Sequence, residues 1–169
     1  MKILIAGIGN MFMGDDGFGS AVAQRIVHQL GAQGRLAHGE GTEVRIVDYG
    51  IRGMDLAFAL TSGIDAAILV DAYARGGAPG TLYKVEPSAG NAPPEIENHA
   101  MDPARVLAFA ATIGTPPRHI RLVGCEPATL GDEDGDIAVG LSEPVAAAID
   151  PAVQMVHELV AELEVVCTS

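Results

Sequence analysis

Basic residues are scarce in this chain. Lys and Arg total 10 against 22 Asp and Glu, a formal net charge of -12 over 169 residues. Such a surface repels phosphate backbones and anionic lipid heads, which argues against nucleic acid and against the membrane as partners. A metal ion, a cationic group or another protein suits that charge better. Cysteine is nearly absent too. Cys125 and Cys167 stand apart with no Cys-x-x-Cys pair, so neither a disulfide framework nor a zinc knuckle is expected. No run reaches the roughly 18 apolar residues of a membrane span. After Met1-Lys2-Ile3-Leu4-Ile5-Ala6 come glycines, Asn10 and two carboxylates, where a signal peptide needs a longer apolar stretch. A cytoplasmic protein is expected. No Gly-x-Ser-x-Gly elbow occurs, so a serine hydrolase is not indicated.

What is present reads as one α/β domain over residues 1–169, a length sufficient to bury a proper core. Ile3-Leu4-Ile5-Ala6 is a short apolar run ended by glycines, the pattern of a strand buried on both faces of a parallel sheet. Phe18, Val22, Ile26 and Leu30 then recur every four residues and form one helical ridge that Gly31 can stop. Val44 to Val47 and Ala66 to Val70 are further strands, ending at Asp48 and Asp71, with a short helix from Met54 to Leu60 between them. Thr81 to Val85 alternates apolar and polar residues. It follows Asp71 by only about nine residues, too few for a parallel crossover, so it is expected as an antiparallel edge strand.

Residues 87–101, with Gly90, Pro93 and Pro94, make a long loop of the kind that often carries function. A helix from Pro103 to Ile113 and a strand from Ile120 to Val123 follow. Ser142-Glu143-Pro144 resembles a helix start, Pro151 restarts or kinks that helix, and Val153, Val156, Val160 and Leu163 carry an apolar stripe onward. The architecture predicted is a three-layer sandwich: a twisted, mostly parallel five-stranded sheet, helices on both faces and one antiparallel edge strand.

In open α/β sheets ligands collect at the carboxyl ends of the strands. Those ends carry Asp15 and Asp16, then Asp48, then Asp71, and the long loop adds His99. Taken singly, each has a plain structural reading. An aspartate at a helix start is commonly a cap stabilised by the helix dipole, and a lone loop histidine is more often structural than a ligand. Together, two carboxylates and an imidazole make a site for a borderline divalent metal with open positions for substrate or water.

The main rival is a Rossmann-like dinucleotide site, since Gly7-Ile8-Gly9 follows a strand and Asp48 stands where a ribose-binding acid belongs. Its third glycine is replaced by Phe12. Asp15 and Asp16 also occupy the helix N-terminus on which a pyrophosphate would rest, where their charge opposes it. Asp132, Asp134, Asp136 and Glu143 have calcium-loop spacing, but Ile137 stands at the glycine position and a strand precedes the loop, so a solvated acidic loop is expected. Cys125 reads as core filling. His28, His119 and His157 read as surface or edge residues, and His38 has no evident partner.

The segments Gly7-Ile8-Gly9-Asn10, Gly14-Asp15-Asp16-Gly17-Phe18-Gly19, Val47-Asp48, Leu69-Val70-Asp71-Ala72 and Asn98-His99 resemble the hydrogenase maturation proteases. So do Val123-Gly124-Cys125-Glu126-Pro127 and Gly140-Leu141-Ser142, and the resemblance runs in order from Met1 to about Leu163. It implies a twisted sheet between helices and a nickel-dependent endopeptidase. The implied reaction removes a short C-terminal extension from the [NiFe]-hydrogenase large-subunit precursor once nickel is in place, and the nickel read would be that carried by the precursor. The metal contacts that the resemblance implies are Asp16, Asp71 and His99, which are also the expected catalytic residues, and Asp48 is expected to orient a ligand or the substrate without contacting the metal. A monomer is the simplest assembly. The family often has Asp-Gly-Gly after its second strand, with a further glycine three residues on. Here Tyr49, Ile51 and Arg52 depart from that pattern, which bears on which hydrogenase is served. A non-catalytic hydrogenase-assembly chaperone on the same fold is the other alternative.

Overall fold

The computed structural model describes residues 1–30, 35–37, 41–87, 102–130 and 137–168. Six strands form one sheet: β1 (Lys2–Ile8), β2 (Arg35–Ala37), β3 (Glu43–Gly50), β4 (Ala66–Ala72), β5 (Leu82–Val85) and β6 (His119–Cys125). Their spatial order is β2-β3-β1-β4-β6-β5. The central four are mutually parallel, while β5 pairs antiparallel with β6 at one edge, as its short connection requires. The five expected strands are all present. A sixth, β2, pairs antiparallel with β3 across only three positions at the other edge. Three residues are too few for any periodicity to announce them.

Alternation along β1 divides the core. Ile3 and Ile5 point to one face and Leu4, Ala6 and Ile8 to the other, all with no exposure. The first face is covered by α1 (Phe18–Leu30) and α5 (Ile149–Thr168), and the second by α2 (Gly53–Leu60) and α3 (Pro103–Ile113). Both faces being covered explains why the strands read as continuous apolar runs. The ridge of α1 is buried at Phe18, Val22 and Ile26, with Leu30 packed at its margin. The stripe of α5 is buried at Val153, Val156, Val160 and Leu163, each worth roughly 1.5–3 kcal/mol relative to exposure.

The short α4 (Glu143–Ala147) precedes α5, and the break falls at Ala148. Pro151 therefore does not cause it. The proline lies in the first turn of α5, where its missing N–H costs nothing.

Topology positions the site. From β1 the chain runs to β3 on one side and then returns to β4 on the other, so the strand order reverses at the carboxyl ends of β1 and β4. A crevice opens at such a reversal. The residues after β1 and at the end of β4 flank it; the end of β3 lies on the far side of β1.

Candidate active site

Beyond β1 the chain makes a tight turn into a 3-10 segment, Gly14–Gly17, that leads directly into α1. Gly9 has φ +121°, and a Cβ on it would lie 1.7 Å from the carbonyl oxygen of Asp16 and 3.7 Å from Asp71 Oδ1. Gly19 is pressed against the strands in the same way, since a Cβ there would lie 2.0 Å from the carbonyl oxygen of Val70 and 2.3 Å from that of Ile8. These glycines let backbone approach backbone. The space that a dinucleotide motif reserves for pyrophosphate is taken at Gly9 by Asp16.

Asp15 and Asp16 are neighbours with different tasks. Asp15 has no exposure, and its carboxylate accepts from the backbone N–H of Ala128 (2.8 Å), Thr129 (3.0 Å) and Ser142 (2.7 Å) and from Ser142 Oγ (2.9 Å). Burial pushes its pKa up, but those donors outweigh burial and the carboxyl sits below its ordinary value. The expectation that Asp15 is a helix cap is thus corrected: it ties the turn to two loops more than a hundred residues away in sequence. The backbone supports the tie through Gly14 N–H to the Ala138 carbonyl (2.7 Å) and Asp15 N–H to the Thr129 carbonyl (3.2 Å). Ser142 stands at the N-cap position of α4, yet its hydroxyl serves Asp15 instead of capping.

Asp16 is half-buried, and its Oδ2 accepts from Asn10 N–H at 2.7 Å. It faces Asp71, which is 6% exposed at the end of β4. Burial holds the Asp71 carboxyl well above the usual carboxylate range, and the negative charges of Asp16 and then Asp102 push it the same way. Only the Ala72 N–H opposes them among the described residues. Two carboxylates that repel each other, one of them buried and poor in donors, are a donor set for a cation. A divalent ion between them removes the repulsion, so these residues fit one. Among the described residues no third His, Cys, Asp or Glu completes a metal-binding group with them. His99 lies outside the described residues, as do the rest of the expected 87–101 loop beyond Pro87, His38 and the acidic loop 132–136.

Asp48 lies near the carboxyl end of β3, two residues before its last, on the far side of β1. Its Oδ1 accepts from Ser20 Oγ (2.7 Å) and Gly50 N–H (3.0 Å), and its Oδ2 from Gln24 Nε2 (2.9 Å). Ser20 Oγ also reaches the Gly9 carbonyl at 3.3 Å. Asp48 therefore braces α1 and the turn from behind, and both its oxygens are engaged.

The sequence reading assigned no role to Glu126. It is 5% exposed just beyond β6, accepting from the N–H groups of Arg75 (2.8 Å) and Gly76 (3.0 Å) and from Tyr83 Oη (2.7 Å). Burial raises its pKa, but the Tyr83 hydroxyl and the loop N–H groups outweigh burial and hold it below its ordinary value. The signal was there: Gly124-Cys125-Glu126-Pro127 and Gly140-Leu141-Ser142 flank the points that hold the rim loops. Cys125 is fully buried with its thiol pushed up to about 12, chiefly by burial, which bars it as a nucleophile.

The chain is similar to known proteins over most of its length. The family model described as hydrogenase maturation protease matches residues 24–159. The chain belongs to that family. The hydrogenase expression/formation protein HupM of Azotobacter chroococcum mcd 1 is 37% identical, with 99% of this chain and 75% of that protein covered. The hydrogenase 2 maturation protease of Escherichia coli strain K12 is 31% identical over 92% of this chain and 88% of that one. Among solved structures, the hydrogenase maturating endopeptidase HybD from Escherichia coli superposes with a TM-score of 0.73 at 27% identity, covering 96% of this chain and 93% of that chain. The fold is that of the hydrogenase maturation proteases, and the chain is a peptidase of that family. Among the described residues no helix is long and apolar enough to cross a membrane.

Proposed function

We propose that this protein is a cytoplasmic endopeptidase that cuts the C-terminal extension from a [NiFe]-hydrogenase large-subunit precursor after nickel has been inserted. The observation that carries the reading is the opposed pair Asp16 and Asp71 at the β1/β4 reversal, with Asp71 buried and short of donors. Family membership supplies the peptidase chemistry, and the names of the relatives point to hydrogenase precursors as the substrate class. In this reading the precursor's own nickel is bound by Asp16, Asp71 and His99. The scissile peptide is thereby held beside an ion that polarises its carbonyl or activates a water. Asp48 positions the turn through Ser20 and Gln24 without touching the substrate.

The test mixes the protein with nickel-loaded and nickel-free precursor and reads the products by intact mass. The expected result is loss of a short C-terminal peptide from the loaded form alone, abolished in Asp16→Ala, Asp71→Ala and His99→Ala. Equal cutting of nickel-free precursor would overturn the nickel dependence. Binding of precursor without any shortening would replace the protease with a chaperone.

A further inference from the structure

The loop that leaves β4 presents a cation at the carboxyl end of the sheet, where among the described residues Arg52 and Arg105 also lie, close to Asp55 and Asp102. Arg75 lies four residues beyond Asp71, and its guanidinium sits 5.8 Å from the ring centroid of Tyr73 and 5.6 Å from that of Tyr83. The two rings meet edge to face at 6.4 Å. Both are pinned. Tyr83 donates its hydroxyl to the buried Glu126, and Tyr73 packs over Gly124, where a Cβ would lie 2.6 Å from the Tyr73 Cβ. Glu126 also takes the N–H groups of Arg75 and Gly76, so the backbone carrying the arginine is fixed by the same carboxylate. Glu126 is thus spent on the loop, and among the described residues Arg75 forms no ion pair. Arg75 is exposed.

An arginine that rests on aromatic rings keeps its N–H donors directed outward in the plane that matches a carboxylate. It has also lost most of its rotamer freedom beforehand, so binding costs less than for a free surface side chain. On a protein of net charge -12, much of the surface repels a substrate carboxylate, so a held arginine has large leverage over where it settles.

We propose that Arg75 is a specificity-determining residue that binds a carboxylate of the substrate's C-terminal extension, close to the cut. The inference rests on the protease reading above and adds to it a named substrate contact. The carboxylate comes either from an acidic side chain of the extension or from its terminal α-carboxylate, and the experiment separates them.

A labelled peptide spanning the cut and the extension is titrated against the protein by fluorescence anisotropy. Cleavage of the nickel-loaded precursor is measured in parallel. Arg75→Met keeps bulk over the rings without charge, and a thermal melt equal to the parent's confirms that the loop is intact. A charge-assisted hydrogen bond of ordinary strength predicts peptide binding weaker by about 10- to 100-fold and KM raised alike, with kcat nearly unchanged. Replacing the acidic side chains of the extension by amides, or amidating its C-terminus, reproduces that loss in the parent and has no effect in Arg75→Met. Whichever replacement does so identifies the source. Arg75→Glu with a lysine at the identified position restores part of the affinity.

Peptide binding that depends on Arg75 supports the contact even if no cut occurs, which would then fail the protease reading alone. Normal cutting with KM unchanged in Arg75→Met overturns the contact alone. A loss in Arg75→Met that neither peptide replacement reproduces also overturns it, because the arginine then acts only within its own loop. A parent protein that neither cuts nor binds overturns both.

Discussion

Asp15 and Asp71 are both buried carboxylates on the same rim of the sheet, and they differ in what meets them. Four donors from two distant loops converge on Asp15, which holds its pKa below the ordinary value. Asp71 meets one backbone N–H and the negative charges of Asp16 and Asp102, and its pKa is driven up. A buried charge stabilises a fold when its lone pairs are filled and costs stability when they are not. The first carboxylate is therefore a structural tie, and the second is one that the protein keeps at a cost. Asp48 and Glu126 belong with Asp15, since each is fully engaged by donors from neighbouring segments.

The largest expected effect separates activity from stability at Asp71. Asp71→Asn should lower precursor cleavage at least roughly a hundredfold, since loss of a mere supporting residue already costs 10–100-fold at metal sites. The same change should raise stability at neutral pH by about 0.5–2 kcal/mol in urea unfolding, because a buried carboxyl whose charge the fold disfavours has been removed. A destabilised and fully active Asp71→Asn would erase the contrast with Asp15.

Asp15→Ala should do the reverse. It strands the Ala128, Thr129 and Ser142 donors and should cost about 3–5 kcal/mol, with activity lost only as far as the protein unfolds. The pH dependence has a fixed sign. The folded pKa of Asp15 is depressed, so the unfolded chain takes up a proton first, near pH 4. Its contribution is complete above that value and is lost as pH falls through the folded pKa. Denaturant titrations from pH 6 downward should show a steeper acid loss for the parent than for Asp15→Asn.

Asp48→Ala sharpens the comparison from the far side of β1. Freeing Ser20 and Gln24 should cost about 1–2 kcal/mol and slow cleavage by about tenfold, as expected of a brace. A loss as large as that of Asp71→Asn would move Asp48 into direct contact with the substrate. The smallest effect belongs to Cys125→Ala, with about 1 kcal/mol of stability lost from the core and kcat unchanged.

Much of this was legible in sequence. Burial on both faces makes a parallel strand a continuous apolar run, so β1, β4 and β6 announced themselves, as did the four-residue ridge of α1 and the short connection that forces β5 antiparallel. Two carboxylates at the helix start excluded a phosphate ligand through charge alone. The three-residue β2 left no pattern to read, and the break before α5 fell at Ala148 because Pro151 is harmless in a first turn.

Chain chemistry by itself determined the α/β class and the acidic rim, because burial and charge act on neighbouring residues and leave local patterns; the family showed only as a resemblance of motifs. It did not decide which aspartate does what. Asp15 and Asp16 are adjacent and chemically identical, and their roles separate only when residues 128, 129 and 142 arrive to fill one carboxylate while Asp71 arrives to oppose the other. Those partners come from across the chain. The physical reason is that a carboxylate's energy is set by the donors and charges around it, and only the folded chain brings them together.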